Sequence, residues 1–110
     1  MKLLIAGSRS IKNFDLSPYV PKDTEIIICV GADGVDSLAK KYADKNKISK
    51  LVLRPRYDKY GKAAPLKRNE TMVDLADSVL IIWDGMSRGT VHTFKYAEAK
   101  KKAVTLLTLS

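Results

Sequence analysis

Ile26-Ile27-Ile28-Cys29-Val30-Gly31-Ala32-Asp33-Gly34-Val35-Asp36 is an apolar, β-branched run that breaks into a Gly-rich polar turn. The pattern occurs twice more. Leu3–Ala6 runs into Gly7-Ser8-Arg9, and Val79–Ile82 runs into Trp83-Asp84-Gly85-Met86-Ser87-Arg88-Gly89-Thr90. Short continuous apolar runs of this kind are typical of parallel strands buried on both faces. In an open α/β sheet, ligands bind outside the carboxyl ends of the strands, near the topological switch point. Three such ends, each followed by Gly and polar side chains, predict one shared site.

Working outward, strand and helix signals alternate along the chain. Strands are expected at Leu3–Ala6, Glu25–Val30, Leu51–Leu53, Ser78–Trp83 and Ala103–Leu107. Val35, Leu38, Ala39 and Tyr42 have helical spacing, which predicts a helix from about Asp33 to Lys45. Further helices are expected from Pro65, a favoured first position, to about Ala76, and over Thr90–Lys101. Pro18 and Pro21 interrupt the first crossover, Ile11–Val20, and leave room for only one or two turns. Residues 54–64 read as a long irregular stretch, the kind of segment that often carries function. The fold expected is a single α/β domain over residues 1–110. Its three-layer, Rossmann-like parallel sheet has about five strands in the order 3-2-1-4-5.

Composition narrows the function classes. The 110 residues are 45% hydrophobic and 29% charged, as in ordinary globular domains. No apolar run reaches the length of a membrane span, and the four-residue apolar stretch near Met1 is too short for a signal peptide. One cysteine, Cys29, precludes a disulfide within the chain and suits a reducing cytoplasm. A single Cys and a single His are too few for a typical transition-metal site. They also argue against a Cys-His or Ser-His nucleophile pair, and His92 is expected to face solvent. The net charge is +8, and between Lys40 and Arg68 eleven Lys/Arg face two acids, Asp44 and Asp58. That surface, interleaved with Tyr57 and Tyr60, is a candidate for single-stranded nucleic acid or a phosphorylated ligand; its simpler reading is a solvated helix face.

The candidate ligand-binding residues lie in the loops and the helix starts. Gly7, Ser8 and Arg9 combine close backbone approach, a hydroxyl and a guanidinium that can hold phosphate or carboxylate. Gly31 and Gly34 precede a helix N-terminus, a natural anion site. Two readings of the acids there stand side by side: Asp33 as the cap with Asp36 complementing the helix dipole, or Asp36 bonding ribose hydroxyls. Neither a G-x-G-x-x-G fingerprint nor a P-loop is present. On the third helix, Leu66, Val73 and Ala76 are expected to form an inward stripe that includes Asn69, a polar amide needing partners, with Lys67 and Arg68 at the pocket rim. Ser87, Gly89 and Thr90 open the fourth helix and could cradle a phosphate through hydroxyls and N–H groups. Asp84 and Gly85, just before them, are further candidate ligand-binding residues, and Trp83 is expected to be part core and part pocket edge. Asp36 and Asp84 are the candidate catalytic carboxylates, on the expectation that partial burial raises the pKa of such an acid.

Taken in order, Gly7-Ser8-Arg9, Gly31–Asp36, Gly61–Asn69, Ala76-Asp77 and Trp83–Thr90 resemble the small, often phage-borne, Rossmann-like proteins of the SLOG superfamily. That superfamily includes the LOG nucleotide phosphoribohydrolases and the DNA-processing protein of natural transformation. The resemblance spans nearly the whole chain and implies a nucleotide or nucleotide-derived ligand, including ADP-ribose-like compounds. Two departures stand out. LOG enzymes carry a catalytic Glu in Gly-Thr-x-x-Glu, where this chain has Thr93. Val30 stands where the small members more often have a second glycine.

The expectations are thus a nucleotide-binding module acting as sensor or weak enzyme, a nucleic-acid-binding protein, or a nucleotide N-glycosidic hydrolase. A homodimer and a cytoplasmic location are further expectations.

Overall fold

The computed structural model describes residues 1–30 and 34–109. Strands β1 (Lys2–Gly7), β2 (Ile26–Val30), β3 (Ser49–Leu53), β4 (Ser78–Trp83) and β5 (Ala103–Thr108) form one sheet in the order β3-β2-β1-β4-β5. All four strand pairs are parallel. The helices are α1 (Val35–Lys45), the single turn α2 (Tyr57–Tyr60), α3 (Ala64–Leu75) and α4 (Arg88–Ala99).

Alternation along the strands sorts side chains onto two cores. Leu3, Ile5, Ile27, Cys29, Leu80 and Ile82 face α1 through Val35, Ala39 and Ala43, with Ile11 and Leu16 of the first crossover completing that layer. Leu4, Ala6, Ile28, Val30, Val79 and Ile81 face Met72, Val73 and Ala76 of the α3 segment and Ala97 of α4. Both faces of the three central strands are therefore dry, which is why β1, β2 and β4 read as unbroken apolar runs, while the edge strands β3 and β5 stay partly exposed. Cys29 is fully buried, and burial pushes its thiol up to about 11, an unreactive state at neutral pH.

Several expected boundaries shift. The first crossover holds a 3-10 turn at Ser17–Tyr19, within the one or two turns expected there, whereas β3 starts two residues before the expected Leu51. Within the stretch read as irregular, α2 is followed by a 3-10 turn at Gly61–Ala63. Helix α1 begins at Val35 with Gly34 as its cap, later than expected. The expected cap role of Asp33 and ligand role of Gly31 lie outside the described residues.

Two expectations on side-chain placement are corrected. Leu66 is 40% exposed and lines a cleft, so the inward face of α3 runs through Met72 and Val73 and on to Ala76. The first turn of α3 buries Ala64 and turns Pro65 and Leu66 to the cleft. His92 does not simply face solvent: its Nε2 lies 3.1 Å from Glu70 Oε2, joining α4 to α3. One turn further on, the Tyr96 hydroxyl donates to Asp74 and reinforces the same helix pair.

Strand β1 is flanked by β2 on one side and β4 on the other, so the chain reverses its direction of travel at β1. This switch point opens a crevice outside the carboxyl ends of the strands. Gly7 sits at its floor. A Cβ there would collide with the Ile82 carbonyl and the Val35 side chain, so glycine is what lets β1, β4 and α1 meet so closely. Gly34 has φ +74°, and a Cβ on it would run into the backbone of Ser8 and Arg9.

Candidate functional site

The cleft at the switch point has a volume of about 550 Å³. The β1 end supplies Ala6, Gly7, Arg9 and Ser10, while Val30 and Asp36 come from β2 and α1. Pro65, Leu66, Arg68, Asn69 and Met72 come from α3, and Asp84, Met86, Ser87, Gly89, Thr90 and Thr93 from the β4 end and α4. The loops that follow β1 and β4 thus meet at one cleft, and Val30 and Asp36, on either side of the loop after β2, border it too.

Asp36 is the most unusual member. It lies in the first turn of α1, only 5% exposed, and burial pushes its carboxyl up to about 7. Arg68, a backbone hydrogen bond from Val30, Arg9 and Lys40 all favour the ionised form, in that order, and do not overcome the loss of water. The Arg68 guanidinium is itself half-buried, and burial lowers its pKa while Asp36 supports its charge. Its Nε and Nη2 both reach Asn69 Oδ1, at 3.3 and 3.2 Å, which gives the α3 amide the partner that a semi-buried polar group needs.

Asp84 has a different environment. Its Oδ2 accepts from the Ser10 hydroxyl at 2.6 Å, and its Oδ1 accepts from the N–H groups of Met86 and Ser87 at 2.8 and 3.0 Å. The Ser10 hydrogen bond first, then those two, hold its carboxyl down at about 2. The expectation of a raised pKa therefore fails for Asp84 and holds for Asp36, because Asp84 remains accessible and well supplied with donors. At neutral pH Asp84 is ionised and has no proton to give.

Several predicted binding residues turn out to build the loops. Ser8 is 1% exposed, and its hydroxyl accepts from the Asp84 N–H at 3.0 Å. Ser87 caps α4: its hydroxyl accepts from Thr90 N at 3.4 Å and from the Thr90 hydroxyl at 2.9 Å. With those donors occupied, the N–H groups of Arg88 and Gly89 remain without an intramolecular partner among the described residues. They are the N–H groups this helix start can offer to an anion. Gly34 supports the β1 loop and Gly85 turns the β4 loop at φ +86°; neither lines the cleft. Trp83 packs against the α3–α4 core and donates its indole N–H to the Ser87 carbonyl at 3.0 Å, so it shapes the loop and does not line the cleft. Lys67 points away from the cleft, 3.8 Å from Glu70.

Sequence reasoning missed Ser10, Leu66 as a cleft residue, and Met86, which is 82% exposed at the mouth. Ser10 directly follows the Gly7-Ser8-Arg9 turn, and an apolar side chain in a polar loop, as at Met86, was the available signal. Thr93 lines the inner wall, and its hydroxyl donates to the Gly89 carbonyl at 3.1 Å. Among the described residues no cluster of His, Cys, Asp and Glu is suited to a metal ion. None of their helices is long and apolar enough to cross a membrane.

Chemically, the cleft offers two guanidinium groups, one carboxyl able to exist in either protonation state near neutrality, one amide, and exposed apolar walls from Leu66 and Met86. Comparison with protein-family models and with curated proteins finds no match to this chain.

Proposed function

We propose that this cleft binds a nucleotide or nucleotide-derived ligand, and that the chain is a SLOG-type module acting as a sensor or a weak enzyme. The observation that carries this reading is the grouping of Arg9, Arg68 and Asn69 around buried Asp36 at the switch point of a parallel sheet. Two guanidinium groups suit a phosphate. Asp36 and Asn69 suit the hydroxyl and amide-like edges of a nucleoside, and Leu66 with Met86 offers apolar surface to a planar base. Because Asp36 titrates near neutrality, it can take up a proton when a phosphate enters, which limits like-charge repulsion.

Mass spectrometry of freshly purified, denatured protein, followed by thermal-shift measurements with nucleoside monophosphates and ADP-ribose derivatives, tests the reading. A co-purified nucleotide or a shift of several degrees, lost in Arg9→Gln and Arg68→Gln, is expected. The absence of both a bound species and a shift with every compound overturns it.

Asp36 favours one second reading, cleavage of an N-glycosidic bond. A carboxyl titrating near 7 is suited to proton transfer to a leaving base. Release of free base from nucleoside monophosphates, abolished in Asp36→Asn, is the expected result. No turnover leaves the binding module alone.

A further inference from the structure

A second cleft, of about 280 Å³, lies beside the first and shares Arg68 with it. Arg54, Arg56, Lys59, Lys67 and Arg68 face it together with Tyr60, and among the described residues no carboxylate lines it. Asp58 neutralises Arg56 from outside through paired contacts of 3.2 Å, and Glu70 lies 3.8 Å from Lys67. Arg54 and Lys59 have no carboxylate within ion-pair distance among the described residues. Lys59 Nζ sits 5.2 Å from the centre of the Tyr60 ring, which holds the ammonium over the cleft wall.

The two clefts divide the charge unequally. The larger contains Asp36 and Asp84 beside its two arginines, so it tolerates one anionic group and otherwise favours hydrogen-bonding and apolar groups. The smaller presents cations only, an arrangement that costs free energy through mutual repulsion and is relieved by a multiply charged anion. Arg68, reachable from both sides, is the bridge.

We propose that the second cleft is a phosphate-chain subsite, and that the ligand is a nucleoside polyphosphate whose chain passes over Arg68 to Arg54 and Lys59. This deepens the reading of the main cleft and rests on it: the nucleoside and first phosphate lie among Asp36, Asn69, Arg9 and Arg68, and the further phosphates lie in the cationic cleft. The shared chemistry extends to the phosphodiester backbone of a single-stranded oligonucleotide, which the test separates.

Calorimetric titration of the full chain with AMP, ADP, ATP, inorganic tripolyphosphate and a short single-stranded oligonucleotide distinguishes the outcomes. Affinity is expected to rise at least about fivefold with each added phosphate, the scale of a charge-assisted hydrogen bond. In the double variant Arg54→Gln, Lys59→Gln, ATP affinity falls at least about tenfold while AMP affinity stays within about twofold. Both positions are exposed, and an unchanged melting temperature verifies that the variant folds. Equal affinity for AMP and ATP, or an equal loss for both in the variant, overturns the subsite and leaves the nucleotide reading standing. Binding of tripolyphosphate but of no nucleotide, sensitive to the double variant, overturns the nucleotide reading and the joint ligand while retaining an anion site. An oligonucleotide that binds more tightly than ATP with the same sensitivity assigns the cleft to nucleic acid and overturns the small-ligand proposal.

Discussion

The Ser8 hydroxyl accepts the backbone N–H of Asp84 at 3.0 Å, tying the carboxyl end of β1 to that of β4 across 76 residues of sequence. Asp84 then organises its own loop by accepting from Met86 and Ser87, and Ser87 caps α4. One small buried hydroxyl thus sits at the head of a chain of hydrogen bonds that shapes a wall of the cleft. Ser8→Ala leaves a partly buried N–H without its partner, at a cost of about 1–2 kcal/mol. The melting temperature is expected to fall by roughly 4–15 °C on that basis for a domain of this size. A melting temperature equal to that of the parent would show that water replaces the hydroxyl at no cost.

Gly34→Ala is expected to be far more damaging. The added Cβ meets the backbone of Ser8 and Arg9, which cannot rotate away, at a φ of +74° that L-residues rarely adopt. A loss of about 3 kcal/mol or more is expected, seen as a lowered urea midpoint with an unchanged slope. Gly89→Ala serves as the control. A Cβ there meets open space, and the change should move stability by less than about 1 kcal/mol.

Asp36 makes folding stability depend on pH in a defined direction. Its carboxyl titrates at about 7 in the folded chain against an ordinary value of 3.8. Between those values the folded state holds the proton more tightly, so stability declines as pH rises from about 4 to about 7 and then levels off for this group. Asp36→Asn is expected to be more stable than the parent at pH 8, by on the order of 2–4 kcal/mol, with the difference vanishing near pH 4. Urea titrations at both pH values test this. The same variant should bind ligand less well, as expected where a binding group is held at the expense of stability.

Arg68→Gln removes the cation that does most to favour ionised Asp36. The Asp36 carboxyl should then titrate above 7, readable from the carboxyl carbon shift in NMR. An unchanged midpoint would mean that Arg68 turns to solvent and does not feel Asp36. Because Arg68 lines both clefts, the same variant should weaken AMP and ATP together.

The central strand runs and their buried character were legible from local patterning, and the order β3-β2-β1-β4-β5 is the one expected of a Rossmann-like alternation of strands and helices. So was the meeting of the carboxyl ends of β1, β2 and β4 at one cleft, since strand order places those ends together. Less legible were α2, hidden in a stretch without periodicity, and the exposure of Leu66, whose helical spacing matches the core face. Periodicity reports which side of a helix a residue occupies, not whether the sheet continues beneath it. Asn69 drew attention as a polar residue on that stripe, but its partner, the neighbouring Arg68 guanidinium, required three-dimensional placement.

The sequence by itself determined the layered α/β architecture, the switch point and the set of loops that border the cleft, because apolar patterning and turn chemistry are written residue by residue. Only the tertiary structure decided what each polar side chain does there. Asp36, in the first turn of α1, and Asp84, in the loop after β4, are the same residue type on one cleft, yet one is deprived of water and titrates at about 7, and the other is surrounded by donors and titrates at about 2. Ser8 and Ser87 likewise became struts of the loops, while Arg68 became the wall between two clefts. Burial and hydrogen-bond partners set these roles, and both come from segments far apart in the chain that meet only when the sheet closes.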